Sequence, residues 1–155
     1  MKVKEIMTTG VVTVTPDTPV PVIASLLRDH RISGVPVTDA EGAVIGLVSE
    51  YDLLAREGGT AGEVMTGSVI TVSEDTDVED VRHLLVERRI RRVPVISGQR
   101  LTGIVSRGDV VALLTAEWVC QVCGEAARGQ HPPSRCPRCH AGSGRFILQD
   151  ACPGD

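Results

Sequence analysis

The sequence predicts a mixed α/β (α+β) protein. Two β-α-β-β-α repeats form a pseudo-twofold pair, and a small ribbon holding one metal ion through four cysteines follows. Three observations predict this. Residues 5–38 match residues 63–96 at a shift of 58, with 16 of 34 positions identical, and 44–55 match 101–112 after a one-residue gap. The 155 residues are 42% apolar but only 2% aromatic. Their core must therefore be valine, isoleucine and leucine, which favours strands. All five cysteines lie beyond residue 119, a clustering that points to metal rather than to a disulfide framework. One repeat of about 55 residues buries too little surface to stand alone, so two packed copies are the natural unit.

Each repeat reads alike. A short EIM or EVM segment precedes a β-run, VVTV at 11–14 or VITV at 69–72. The helix that follows has start signals: Thr18 ahead of Pro19 predicts an N-cap, and Thr76 with Glu79 predicts a capping box. Val20, Ile23, Leu26 and Leu27, and then Val78, Val81, Leu84 and Leu85, supply the one-sided apolar stripe. Arginine and histidine near the helix end suit the negative end of its dipole. Two strands come next, VPV and then AVIGLVS or LTGIVS, and a last helix opens at Ser49 or Ser106. Glu57-Gly58-Gly59-Thr60 is the turn-rich connector. Three segments follow: repeat one at 1–58, repeat two at 59–116 and the ribbon at 117–155.

Charge and motifs exclude several functions. A formal charge of −4 argues against a protein that chiefly binds nucleic acid. The start, MKVKEIMTTG, has no apolar run for a signal peptide or membrane span, so a cytoplasmic location without membrane attachment is expected. Neither a Walker-type phosphate loop nor a nucleophile elbow occurs. His30 and His83 sit on helices, and the Asp80-x-x-His83 spacing is incidental. No catalytic residue is expected, and the chain is not read as an enzyme.

The tandem pattern V-P-V, then Gly46-Leu47-Val48-Ser49 with Asp52, and Gly103-Ile104-Val105-Ser106 with Asp109, resembles a pair of cystathionine-β-synthase (CBS) domains, a Bateman module. The resemblance covers roughly residues 1–116. It implies a regulatory module that binds adenosine nucleotides (AMP, ADP or ATP) or related adenosyl compounds between the repeats, and a homodimer. Ser-x-x-Asp at a helix start is also a capping box, and the two roles are compatible, since a capping serine leaves the helix start facing an anion. By resemblance, the aspartate accepts ribose hydroxyls and the serine contacts ribose or phosphate.

The repeats differ where charge matters. Arg88 and Arg89 read as a solvated helix end, whereas Arg92, two residues before Pro94, occupies a position that in related modules carries a basic group aimed at phosphate. Two sites are expected. One uses Arg91, Arg92, Ser106 and Asp109, with the base against Met7, Val12 and the Ile32–Ser33 backbone. The other uses Ser49 and Asp52, with Met65, Ile70 and Ile90 around the base. Because Ser33 and Gly34 replace the arginines in repeat one, the second site is expected to take a less charged ligand or stay empty.

In the tail, Cys120-x2-Cys123 and Cys136-x2-Cys139 lie twelve residues apart. Four thiolates at that spacing can close a tetrahedron around one zinc or iron ion. A tail this short needs such a staple, and metal binding in comparable peptides is worth about 10–16 kcal/mol. Gly124 and Pro137 suit the knuckle turns, and Cys152 reads as a spectator. The order Trp118-V-C-x2-C-G, Pro132-Pro133, C-P-x-C and a late Phe146 resembles the rubredoxin-like knuckle domain of rubrerythrins. It departs from that family at His140, where glycine is usual.

The leading reading is a non-enzymatic ligand sensor whose ribbon is structural or recruits a protein partner. An electron-transfer protein with a rubredoxin-type iron centre under nucleotide control is the alternative. A full rubrerythrin would need paired Glu-x-x-His motifs, and none is present. Nucleic-acid binding through the ribbon is a third reading. Arg128, Arg135, Arg138 and Arg145 suggest it, but Glu117, Glu125, Asp150 and Asp155 offset them.

Overall fold

The computed structural model describes residues 1–149, so Cys152, Asp150 and Asp155 lie outside the described residues. The chain divides into two compact units, Lys2–Val105 and a second that begins at Ser106 and includes Met1.

In the first unit, repeat one contributes α1 (Val20–His30), β1 (Gly34–Thr38), β2 (Val44–Ser49) and α2 (Glu50–Ala55). The short α3 (Ala61–Val64) leads into repeat two, with β3 (Val72–Ser73), α4 (Val78–Glu87), β4 (Arg92–Ser97) and β5 (Arg100–Ser106). β1 and β2 are antiparallel, with Gly34 opposite Ser49 and Val37 opposite Gly46. β3 runs parallel to β4, pairing Val72 with Val95, and β5 flanks β4 on the other side. The β-run expected at 11–14 shrinks to one parallel bridge, Val14 to Val37, the counterpart of Val72 to Val95. The segments before each bridge pair elsewhere, so neither run is a full strand.

Those leading segments are exchanged between the repeats. Thr66 bridges Leu47 of repeat one, and its counterpart Thr8 bridges Ile104 of repeat two. Thr60 bridges Pro19, while Lys2 bridges Asp77. Ala43 meets Arg100, its own counterpart, on the pseudo-twofold axis. The expected pair is therefore interlaced: Ala61 and Val64 fill the core of repeat one beside Val14, Ile23, Leu27, Val35, Val37 and Val48. Burying each such valine or isoleucine is worth about 1.5–3 kcal/mol, which gives the apolar stripe of α1 its hold.

Two helix starts differ from expectation. The N-cap of α1 is Pro19, without a side-chain cap, and that of α4 is Asp77, also without one. Thr18 Oγ1 instead accepts the Thr15 backbone N–H at 3.0 Å, and Thr76 shares a hydrogen bond with Ser73. Glu79 turns to Arg82 rather than back toward Thr76. The inter-repeat bridges at Pro19 and Asp77 fix where each helix begins, and the threonines close the preceding turn.

The second unit holds α5 (Arg107–Ala112) and a three-stranded antiparallel sheet in the order β7 (Ala126–Arg128), β6 (Glu117–Cys120), β8 (Phe146–Gln149). Its core is Trp118, Cys120, Cys136 and Phe146. The Trp118 indole N–H donates to the Gly129 carbonyl at 2.9 Å.

Candidate functional site: an inter-repeat cleft and a four-thiol centre

The corner between β2 and α2 is closed by two residues. Ser49 Oγ accepts the Asp52 backbone N–H at 3.3 Å. Asp52 Oδ2 accepts the Ser49 backbone N–H at 2.9 Å and the Ser49 hydroxyl at 3.0 Å. Asp52 Oδ1 takes the Thr66 hydroxyl at 3.3 Å and faces Arg56 Nε at 3.4 Å. Asp52 is only 4% exposed, and a carboxylate at that depth needs hydrogen-bond donors, which Ser49 and Thr66 supply, with Arg56 adding an opposite charge. Thr66 reaches it because the leading segment of repeat two crosses to Leu47. Gly46 permits the crossing, since a Cβ there would strike Met65 Sδ and lie 3.1 Å from the Thr66 carbonyl oxygen.

A cleft of about 320 Å³ opens beside this corner, near the lower end of ligand-site volumes. Ser49, Asp52 and Thr66 form its polar side, and Leu47, Val69, Ile70 and Ile90 its apolar wall. Arg56, Arg91 and Arg92 supply cations, and Tyr51, 74% exposed, stands at the rim. Arg92 is half-buried, and its guanidinium donates to Ser33 Oγ. Burial, then the charge of Arg91, lowers its pKa, against the opposing effect of Glu50. Among the described residues no carboxylate lies within ion-pair distance of Arg92. Gly34 leaves room for that guanidinium, which a Cβ there would overlap.

The grouping of site residues differs from the one expected. Arg91 and Arg92 line the cleft of Ser49, Asp52, Ile70 and Ile90, because they follow Ile90 directly in the chain and go where it goes. Met65 packs partly buried against the core of repeat one, as do Val12 and Ile32. Met7 lies against Gly103, the counterpart of Met65 on Gly46. Ser106 and Asp109 repeat the capping box in the second unit, with the Ser106 N–H donating to Asp109 Oδ2 at 2.8 Å. Sequence reasoning missed Arg56 and Thr66. The Asp52-to-Arg56 spacing of four on a helix was a usable signal, and Thr66 needed the interlaced topology.

In the second unit the thiols of Cys120, Cys123, Cys136 and Cys139 all lie within 4.8 Å of one another. Cys120 to Cys139 is 3.7 Å and Cys123 to Cys136 is 3.6 Å. A tetrahedron with metal–sulfur bonds of about 2.3 Å has edges of about 3.8 Å, so the donor set fits one ion. The Cys139 backbone N–H, donating to Cys136 Sγ at 3.5 Å, is the leading cause that lowers the Cys136 pKa to about 7. That favours the thiolate form at this one ligand, whereas Cys139 is pushed up to about 12, the Ala141 backbone N–H lowering it less than burial and the other thiols raise it.

Both knuckles turn alike. The N–H after each pair donates back to the first cysteine carbonyl, Gly124 to Cys120 at 2.8 Å and His140 to Cys136 at 3.0 Å. Gly124 has φ +76° and His140 φ +63°, so histidine occupies a left-handed position that suits glycine. His140→Gly is expected to raise stability of the metal-loaded ribbon by about 1 kcal/mol, read as a higher urea midpoint by Trp118 fluorescence. An unchanged or lower midpoint contradicts that. The ribbon's cations are partly spent: Arg128 pairs with Glu117 at 2.8 Å and Arg138 with Glu125 at 3.8 Å.

The interlaced repeats and their capped cleft agree with family comparison. CBS-domain models match residues 3–59 and 61–116, and the chain belongs to the CBS-domain family. A further match, to the rubredoxin-like domain of rubrerythrin, spans 118–147. Among curated relatives, the CBS domain-containing protein YhcV of Bacillus subtilis is 32% identical over 115 residues, 70% of this chain and 81% of that protein. The chloroplastic protein CBSX1 of Arabidopsis thaliana is 33% identical over 133 residues, 63% of this chain and 56% of that protein. Among solved structures, CBSX2 in complex with AMP superposes with a TM-score of 0.69 at 35% identity, over 71% of this chain and 93% of that one. The CBS domain pair of protein MJ0100, in complex with 5′-methylthioadenosine and S-adenosylmethionine, gives a TM-score of 0.69 at 31% identity, over 73% and 94%. Among the described residues no helix is long and apolar enough to cross a membrane.

Proposed function

We propose that this chain is a regulatory module, not an enzyme, that binds an adenosine nucleotide or related adenosyl ligand in the Ser49–Asp52 cleft. One observation carries this reading. The cleft sets a buried carboxylate, suited to ribose hydroxyls, beside guanidiniums suited to phosphate and an aliphatic wall suited to a base. The adenosyl ligands held by the CBSX2 and MJ0100 structures support it. The ribbon holds one zinc or iron ion and either braces its unit or recruits a protein partner. The same reading includes a homodimer through the repeat module, checked by light scattering.

A thermal-shift screen of the full chain against AMP, ADP, ATP and S-adenosylmethionine tests the sensor role. Binding at a hundredfold excess over Kd adds about 2.7 kcal/mol, a shift of several degrees. No shift with any adenosyl compound at millimolar concentration overturns the reading. Elemental analysis of native material decides the ion, and a red sample that bleaches on reduction marks iron.

A further inference from the structure

We propose that the Ser49–Asp52 cleft selects its ligand by charge, taking phosphorylated nucleotides over neutral or cationic adenosyl compounds, and that Arg56 sets this selection with Arg91 and Arg92. The inference rests on the adenosyl-binding reading and narrows it to anions.

Three guanidiniums line the cleft, and Asp52 is the one carboxylate that lines it with them. Exposed Glu50 stands outside the lining and opposes Arg92 only in part. Arg56 uses Nε toward Asp52, 3.4 Å away, so the other edge of its planar fork stays open to an anion. The decisive comparison lies within the chain. At the positions equivalent to Arg91, Arg92 and Arg56 the other repeat has Ser33, Gly34 and Leu113. Ser106 and Asp109 build the same capping box with leucine in the place of Arg56. The fold therefore closes a corner of this kind without the cation, at an Asp109 less buried than Asp52. Arg56 serves both the carboxylate and the cleft, while Arg91 and Arg92 are surplus to the corner's construction. Concentrated positive charge beside low-dielectric walls favours anions.

The test uses the full chain, wild type, Arg56→Leu and Arg56→Lys. Each is titrated with AMP, 5′-methylthioadenosine and inorganic pyrophosphate. Leucine is the residue the other repeat already carries at this place, so the urea midpoint checks that folding is intact. Wild type is expected to prefer AMP to 5′-methylthioadenosine by at least about tenfold. Arg56→Leu is expected to narrow that preference about fivefold without weakening 5′-methylthioadenosine, and Arg56→Lys to restore most of it. An unchanged preference overturns the proposal, as does equal weakening of both ligands, which would place Arg56 behind Asp52 as a positioning residue only. If no adenosyl compound binds, the adenosyl reading fails and pyrophosphate decides. Protection by pyrophosphate that Arg56→Leu removes keeps charge selection, and no protection of wild type ends it.

Discussion

Cys136→Ser is expected to abolish metal retention and to unfold strands β6, β7 and β8, while the Lys2–Val105 unit keeps its structure. The reasoning is energetic. The ribbon sheet has short strands of three or four residues, and its core is Trp118 and Phe146 packed directly on Cys120 and Cys136. A segment of this size cannot order itself by apolar burial alone. Metal binding worth about 10–16 kcal/mol makes up the difference, and losing one of four thiolates removes most of it. The readout is built in, because Trp118 is the sole tryptophan of the chain and is 7% exposed. Its emission should shift to the red and its hydrogen bond to Gly129 should open, whereas hydrogen exchange in β1 and β2 should be unmoved. A metal-free Cys136→Ser protein with a buried Trp118 would falsify the assignment of the ribbon as metal-dependent.

Asp52→Ala should lower the unfolding free energy by about 3–5 kcal/mol and abolish binding in the cleft. The loss is large because one side chain serves several donors: the Ser49 backbone and hydroxyl, the Thr66 hydroxyl and Arg56. Two of these donors are elements of the corner itself, and Thr66 belongs to the other repeat, so the carboxylate also pins the exchanged segment. Asp52→Asn separates the two roles. It keeps one oxygen for the corner, so most of the stability should survive. It replaces the other with an amide that cannot accept ribose hydroxyls, so affinity should still fall at least about tenfold. Urea unfolding and calorimetric titration, run on both variants, decide the matter. Full affinity in Asp52→Asn would remove the carboxylate from ligand recognition.

The repeat, the cysteine spacing and the Ser-x-x-Asp corners were legible because each is local or periodic. Ser49 and Ser106 cap their helices as the three-residue spacing to Asp52 and Asp109 requires, since a capping box is completed within one turn. Thr18 and Thr76 carry the same kind of signal and do not cap. Their helices start where Pro19 and Asp77 meet the other repeat, a long-range constraint no window of sequence contains. The cleft shows the same limit. Ile70 and Ile90 line the cleft of Ser49 as the sequence suggests, whereas Met65 packs against the core of repeat one, and Arg91 and Arg92 follow Ile90 along the chain into this cleft rather than the other. His140 marks a third kind of illegibility. The glycine usual at this place is absent from the sequence, yet the backbone keeps the left-handed turn and histidine accepts the strain.

The exchange of leading segments also sets an order of events during synthesis. Lys2 and Val3 find their backbone partners at Asp77 and Thr76, and Thr8 finds its partner at Ile104. A chain emerging from the ribosome can therefore make α1, β1 and β2 early, yet Lys2, Val3 and Thr8 must wait, unpaired, until their partners at 76–104, about seventy to a hundred residues later, have been added. The N-terminal strand-like stretch is thus the last part of its own unit to settle. A nascent chain stalled before residue 104 would leave Thr8 without its partner strand, and that open edge would be exposed to chaperones or to a neighbouring copy on the same message.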